Sequence, residues 1–307
     1  MHQSYIDAGW PRQVVRVIDT PNWAQLETGL TAWLWLNGAH STELESEVQA
    51  LTGPFSLYWV WRGTPREYEP PGYRRGPMLL PLSAPLLEKF ISAWGPEQAG
   101  LILVGPAEPQ PLLQHIQALD HFTGSDGQPI AFRLDALRTL EEICEALPSE
   151  QLARVFGPIQ SLIWHAGQNV DEWLRIRTPV TASGDLQDGQ QIALTGSDEA
   201  ALNLASRAWF MRDFACLMTR RFPVFSTKED QLRLRRQLTI FVDEANSFGF
   251  SLERDLRFYM ELRLRYTQKA FVEDRLIQDL LRQTSIQGLQ RLFDISDRLS
   301  QTSVTSI

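Results

Sequence analysis

The chain has 307 residues, 43% of them hydrophobic and 21% charged. That is a globular composition with room for about two domains, which excludes a disordered chain and a membrane-embedded one. A net charge of −8 excludes a general nucleic-acid binder, because affinity for phosphate comes from neutralising cations.

Val14-Val15-Arg16-Val17-Ile18 reads as an edge strand, followed by a turn at Pro21-Asn22. Ala32 to Leu36 is a short apolar run closed by Asn37-Gly38, which suits a buried strand. Ser41 is placed to cap a helix running to about Leu51, with Glu43, Glu45 and Glu47 near its positive end. Phe55 to Trp61 reads as an aromatic strand; alternation sends Tyr58 to one side and Trp59 with Trp61 to the other. Two-sided burial against helices is the ordinary fate of such a run, and an exposed binding patch is the alternative. Gly63 to Pro77, with four prolines and three glycines, is a loop. A strand is expected over Met78–Leu82, a helix over Ala84–Trp94 and a buried strand over Ala99–Val104. Pro111 to Asp120 carries Leu112, Ile116 and Leu119 at helical spacing. A strand follows over Pro129–Leu134, and Asp135 is placed to cap a helix through Leu147. Another helix from Pro148-Ser149 stops at Gly157-Pro158, and Ile159 to Trp164 is the last strand. Beyond Asp198 the apolar residues keep helical spacing, as in Phe210, Phe214, Leu217 and Met218, or Leu234, Leu238, Phe241 and Val242. Ser251 reads as an N-cap there. The fold expected is an α/β lobe with a mixed sheet flanked by helices, then an all-α helical-bundle lobe. Its parts are an N-terminal extension at 1–30, the α/β domain at 31–177, a linker at 178–200 and the helical lobe at 201–300.

The two lobes differ chemically. Residues 1–197 hold 12 Lys and Arg against 22 Asp and Glu, whereas residues 198–307 hold 17 against 15. Nine of the ten tryptophans lie between Trp10 and Trp173. The cations are 26 Arg and only three Lys, a bias that suits planar contacts at interfaces but that a GC-rich genome explains first. Cys144 and Cys216 form no motif and read as small buried hydrophobes in a reducing compartment. Met1 to Gln13 has no apolar stretch of signal-peptide type, so a cytoplasmic location without direct membrane insertion is expected.

Motifs for phosphate cradles, serine nucleophiles and zinc are absent from the sequence, so no cofactor, catalytic or metal-ligating residue is assigned. His115, Asp120 and His121 are the best catalytic candidates. Six residues turn a regular helix by about 600°, which points the two imidazoles to different sides. His165, beside Trp164, reads as a loop or sheet-edge residue. Potential interface material is more prominent. Arg220 and Arg221 end one helix, and Arg233, Arg235 and Arg236 begin the next. They form either a solvated face or an arginine-lined groove for a partner segment.

One ordered set of segments carries a resemblance: Trp61-Arg62-Gly63-Thr64, Pro77-Met78-Leu79-Leu80-Pro81-Leu82, Gly100-Leu101-Ile102-Leu103-Val104, Ile130-Ala131-Phe132-Arg133-Leu134-Asp135 and Leu147 through Phe156-Gly157-Pro158-Ile159. In the helical half, Arg221-Phe222-Pro223 and Ala245-Asn246-Ser247-Phe248-Gly249-Phe250 extend it. The set resembles the adaptor or chaperone family of bacterial type VI secretion effectors. It departs at Asn37, where such proteins often carry Asp, and at Arg265-Tyr266, where Gly is expected. The resemblance implies a non-enzymatic protein that binds one cognate toxin effector and helps load it onto the VgrG spike protein. The helical lobe is expected to grip the N-terminal segment of the effector, with the α/β lobe supporting it or meeting the spike. Arg220, Arg221, Arg233, Arg235 and Arg236 are then the residues expected to hold the effector. The rival reading is a small hydrolase-like enzyme with the Gly63–Pro77 loop as a lid and a His/Asp site assembled by the fold.

Overall fold

The computed structural model of the chain describes residues 12–26, 31–53, 57–119, 121–179 and 192–304. Asp120, the start of the expected Phe55–Trp61 strand and most of the expected linker lie outside these residues. The strands are β1 (Arg16–Ile18), β2 (Thr31–Asn37), β3 (Tyr58–Trp59), β4 (Pro77–Pro81), β5 (Gly100–Gly105), β6 (His121–Thr123), β7 (Pro129–Ala131), β8 (Ser161–His165), β9 (Trp173–Arg177) and β10 (Ile192–Ala193). The helices are α1 (Trp23–Leu26), α2 (Leu44–Thr52), α3 (Ala84–Lys89), α4 (Pro109–Ala118), α5 (Leu137–Ala146), α6 (Ser149–Phe156), α7 (Gly196–Arg221), α8 (Lys228–Ser247), α9 (Glu253–Arg265), α10 (Gln268–Glu273), α11 (Arg275–Arg282) and α12 (Gly288–Val304). The chain divides into two compact units between Trp209 and Phe210, inside α7.

The first unit is the α/β lobe. Its large sheet runs β1-β9-β8-β5-β2-β4-β3 with every pairing antiparallel. Mixed pairing is confined to the small sheet, β10-β6-β7, where β10 runs parallel to β6. Strand β2 lies between β5 and β4 and has no polar residue from Ala32 to Leu36, because both of its faces are covered. Trp33 and Trp35 enter one core with Leu79, Leu101 and Leu103, under α4, α5 and α6. Leu34 and Leu36 enter the other with Leu80 and Ile102, under α2, α3 and the turn Phe90–Trp94. Each such side chain contributes about 1.5–3 kcal/mol on burial. The helix expected over Ala84–Trp94 forms in two pieces, because the Gly95 N–H reaches back to the Phe90 carbonyl at 2.7 Å and widens its last turn.

Local chemistry departs from the sequence reading at several points. Glu43, not Ser41, occupies the cap of α2, and Ser41 Oγ accepts from the Glu43 N–H at 3.1 Å within the preceding turn. Asp135 does not cap α5; its carboxylate is taken by Arg133. The strand expected to reach Leu134 stops at Ala131. Strand β9 was not expected; it pairs with both β8 and β1. His165 is interior rather than at an edge: it ends β8, is buried, and stands edge-on to Trp173 at 4.9 Å. Gly157, in the Phe156-Gly157-Pro158 motif, has a positive φ of 49°, and a Cβ there would overlap the His115 ring. The motif therefore stops α6 against α4 and turns the chain into β8.

The second unit, residues 210–304, is helical. Helix α9 packs against α8 and α12. Two arginines belong to its core. Arg263 pairs with Glu244 and lies over Phe241 and Phe271 at 4.6 and 5.1 Å. Arg291 donates to the carbonyls of Phe248 and Leu281 and covers Phe250 at 4.2 Å. Ser251 caps nothing; Leu252 holds the N-cap of α9. Asp274 caps α11 by accepting from the Leu276 N–H at 3.0 Å, and Arg298 bonds its other oxygen at 2.9 Å. Cys144 is fully buried, and its burial pushes the thiol pKa up, whereas Cys216 is half-buried. No helix among the described residues is long and apolar enough to cross a membrane.

Gly100 faces the main chain of β2, and a Cβ there would overlap the Trp35 carbonyl oxygen. Gly100→Ala is expected to lower stability by about 1–3 kcal/mol, read as an earlier urea midpoint at unchanged slope. Gly196→Ala, with open space around it, serves as the neutral control. The Arg298 hydrogen bond, then those of Leu276 and Ile277, hold the Asp274 carboxyl below its ordinary range. A lowered folded pKa stabilises the fold above the ordinary carboxylate range and is lost as pH falls through the lowered value. Asp274→Ala is expected to cost about 1 kcal/mol at neutral pH, and the difference from the parent narrows on acidification.

Candidate partner-binding site

A pocket of about 350 Å³ lies wholly in the first unit and is built around Trp61. After β3 the chain turns, with the Arg62 N–H donating to the Trp59 carbonyl at 3.2 Å and Thr64 Oγ1 to the Trp61 carbonyl at 2.7 Å. That turn reverses the expected alternation. Trp61 joins the core of Tyr58, and Trp59 packs on the opposite face, edge-on to Tyr73 at 5.8 Å. Gly76 permits this placement, since a Cβ there would meet the Trp61 indole. Gln117 of α4 donates to the Val60 carbonyl at 2.7 Å and fixes the turn from the other side.

Around this indole the wall is apolar and charged, with Arg66 and Arg133 set beside the carboxylates Glu69 and Asp135. Ile116, Leu119 and Phe132 supply hydrocarbon. The guanidinium groups of Arg66 and Arg133 each stand 5.7 Å from the Trp61 ring, within cation–π range. Arg133 also grips the buried Asp135 carboxylate through two nitrogens. Trp35, on β2, completes the lining; it is 2% exposed and its indole Nε1 has no acceptor. Trp33, two residues away, donates its own Nε1–H to the Pro106 carbonyl at 3.0 Å. A buried donor left without an acceptor costs about 1–3 kcal/mol. The pocket is suited to an apolar or aromatic group that packs on the Trp61 indole.

The five arginines expected to hold a partner are spread over the end of α7 and the first turns of α8. Arg220 is exposed. Arg221 pairs with Glu261 at 2.9 Å, and Arg233 with Asp230 at 2.8 Å. Arg235 is half-buried and Arg236 exposed. Arg233, Arg236 and Ile240, the last 63% exposed, follow i, i+3, i+7 on one outward face of α8. Sequence spacing found the arginines of that face but not Ile240.

His115 and His121 stand on different elements. His115 is buried in α4 with Nε2 bonded to the Val155 carbonyl at 2.9 Å, and His121 opens β6 opposite Ala131. Among the described residues no group of three or more His, Cys, Asp and Glu is placed to hold a metal ion. The pocket residues Trp35, Arg133 and Asp135 were missed as a site. Their signal was present in the segments Trp61–Thr64 and Ile130–Asp135, which fold onto each other.

With this geometry in place, residues 32–154 match a family model described as a domain of unknown function, DUF4123. No curated protein and no solved structure matches the chain. Every residue lining the Trp61 pocket falls inside the matched span.

Arg133→Met is expected to destabilise the chain by about 1–2 kcal/mol, because the buried Asp135 carboxylate loses its guanidinium while Arg133 itself is 40% exposed. Arg133→Met with Asp135→Leu is expected to recover most of that loss. Urea unfolding of the single and double variants checks both.

Proposed function

We propose that this chain is a non-enzymatic adaptor or chaperone that binds a cognate type VI secretion toxin effector, stabilises it and aids its loading onto the VgrG spike. The observation that carries the reading is the coincidence of the matched domain with the Trp61 pocket. That domain is associated with type VI effector adaptors. The ordered segments that resemble the same family extend beyond it into the helical half. A pocket with an aromatic floor and charged residues of both signs at its wall suits one anchoring side chain of a partner segment. The outward face of α8, with Arg236 and Ile240, supplies a second amphipathic surface for the effector.

Co-expression with the toxin encoded beside its gene, followed by affinity purification of the toxin, tests the proposal. The toxin is expected to retain the adaptor. Trp61→Ala is expected to weaken retention at least about tenfold while the chain stays folded by circular dichroism, as is Arg236→Glu with Ile240→Asp. A folded, monodisperse parent chain that never retains the toxin overturns the reading.

A further inference from the structure

Arg12, leading into β1, finds two carboxylates, Glu141 and Glu172, both at 2.7 Å. Glu145 accepts from the N–H groups of Gln13 and Val15 at 2.6 and 2.8 Å, so the start of this edge is anchored to α5. Four residues on, the situation inverts. Arg16 stands directly opposite Arg175 in the β1–β9 register, and Arg177 follows on the same face. Like charges placed directly opposite destabilise a sheet. No carboxylate among the described residues pairs with Arg16, Arg175 or Arg177; Arg175 Nε donates instead to Ser161 Oγ at 3.1 Å. Burial and the neighbouring Arg177 charge both lower the Arg175 pKa.

These arginines line a groove of about 410 Å³ with Val14 and Ile18. Strand β1 ends the sheet order, so its outer edge carries no strand among the described residues, and Val17 there is 55% exposed. We propose that this edge receives an extended acidic segment of a partner protein as an added strand, its carboxylates on the arginine face and its alternate apolar residues beside Val17. An unpaired edge supplies backbone hydrogen bonds that a second extended chain satisfies and a nucleic acid does not. Three cations on a chain of net charge −8 are also too few to hold a long polyanion. Edge strands do carry charges that discourage association, but a guard charge does not require a second arginine set opposite it at a cost to the sheet.

The probe is a fluorescein-labelled eight-residue peptide of alternating Glu and Val, titrated with the full chain at low salt and followed by anisotropy. A saturable rise is expected. It is expected to weaken at least about tenfold for Arg16→Ser/Arg175→Ser/Arg177→Ser, and as much for a peptide of equal composition with its Glu in one block. The triple variant is expected to melt no earlier than the parent, since it sheds repulsion and no ion pair. Absence of saturable binding, equal binding of the block peptide, or tighter binding of single-stranded DNA of equal charge overturns the proposal. A melting temperature lowered by more than a few degrees does the same, because it makes the arginines structural.

Discussion

The double-sided burial of β2 is the constraint on which the α/β lobe depends. A strand covered on both faces cannot alternate polar with apolar residues, so Ala32 through Leu36 is apolar without interruption. Its neighbours inherit the demand. Strand β5 is buried throughout, and its first residue must be glycine, because the Trp35 carbonyl occupies the space of a side chain. Helices must then cover each face. The amphipathic segments around the strands meet this need, α4, α5 and α6 on one side and α2 and α3 on the other. The small size of Gly157 and Gly76 matters for the same reason: each lets a ring, His115 or Trp61, lie against the main chain where two elements converge.

Arginine does three physically different jobs in this chain. In the helical unit Arg263 and Arg291 are core residues. Their flat, weakly hydrated guanidinium groups stack on phenylalanine rings, while Glu244 neutralises Arg263 and two backbone carbonyls accept from one terminal nitrogen of Arg291. Arg291 reaches carbonyls at the ends of α8 and α11, where an exposed dipole favours a cation. In the α/β unit Arg66 and Arg133 frame an indole, and Arg133 is held in place by Asp135. On the β1–β9 edge Arg16 and Arg175 face one another, and no carboxylate among the described residues pairs with them. A scarcity of lysine is thus matched by sites that need a planar, stackable cation, which an ammonium does not replace.

Much of the element order was legible because the relevant signals are local. Gly95, Gly105 and Gly157 mark ends, and apolar runs of five residues bounded by such turns mark buried strands. Strand β9 escaped because Trp173-Leu174-Arg175-Ile176-Arg177 owes its state to pairing with β8 across the 166–172 loop and with β1, which lies at the far end of the unit's sequence. Ser41, Asp135 and Ser251 were credited as caps on residue type alone; whether a side chain turns to the helix or to a nearby partner depends on what surrounds it, as Arg133 does for Asp135. The pocket was the least legible feature. Trp35, Trp61, Gln117 and Arg133 lie on four separate segments, and no spacing rule links them.

The sequence by itself therefore determined the class of each lobe, the two-faced burial of the central strands and the absence of the familiar catalytic and phosphate-binding motifs. These follow from hydrophobic periodicity and residue chemistry over windows of a few residues. The tertiary structure alone decided that the large sheet is antiparallel throughout, that Trp61 shares a wall with Trp35 rather than with Trp59, and that His115 ties α4 to the Val155 carbonyl. It also decided which arginines are neutralised and which face each other. The physical reason is common to all of these. Strand partners, ring contacts and ion pairs are made between residues far apart in the chain, and only the packed fold sets the distances on which their energies depend.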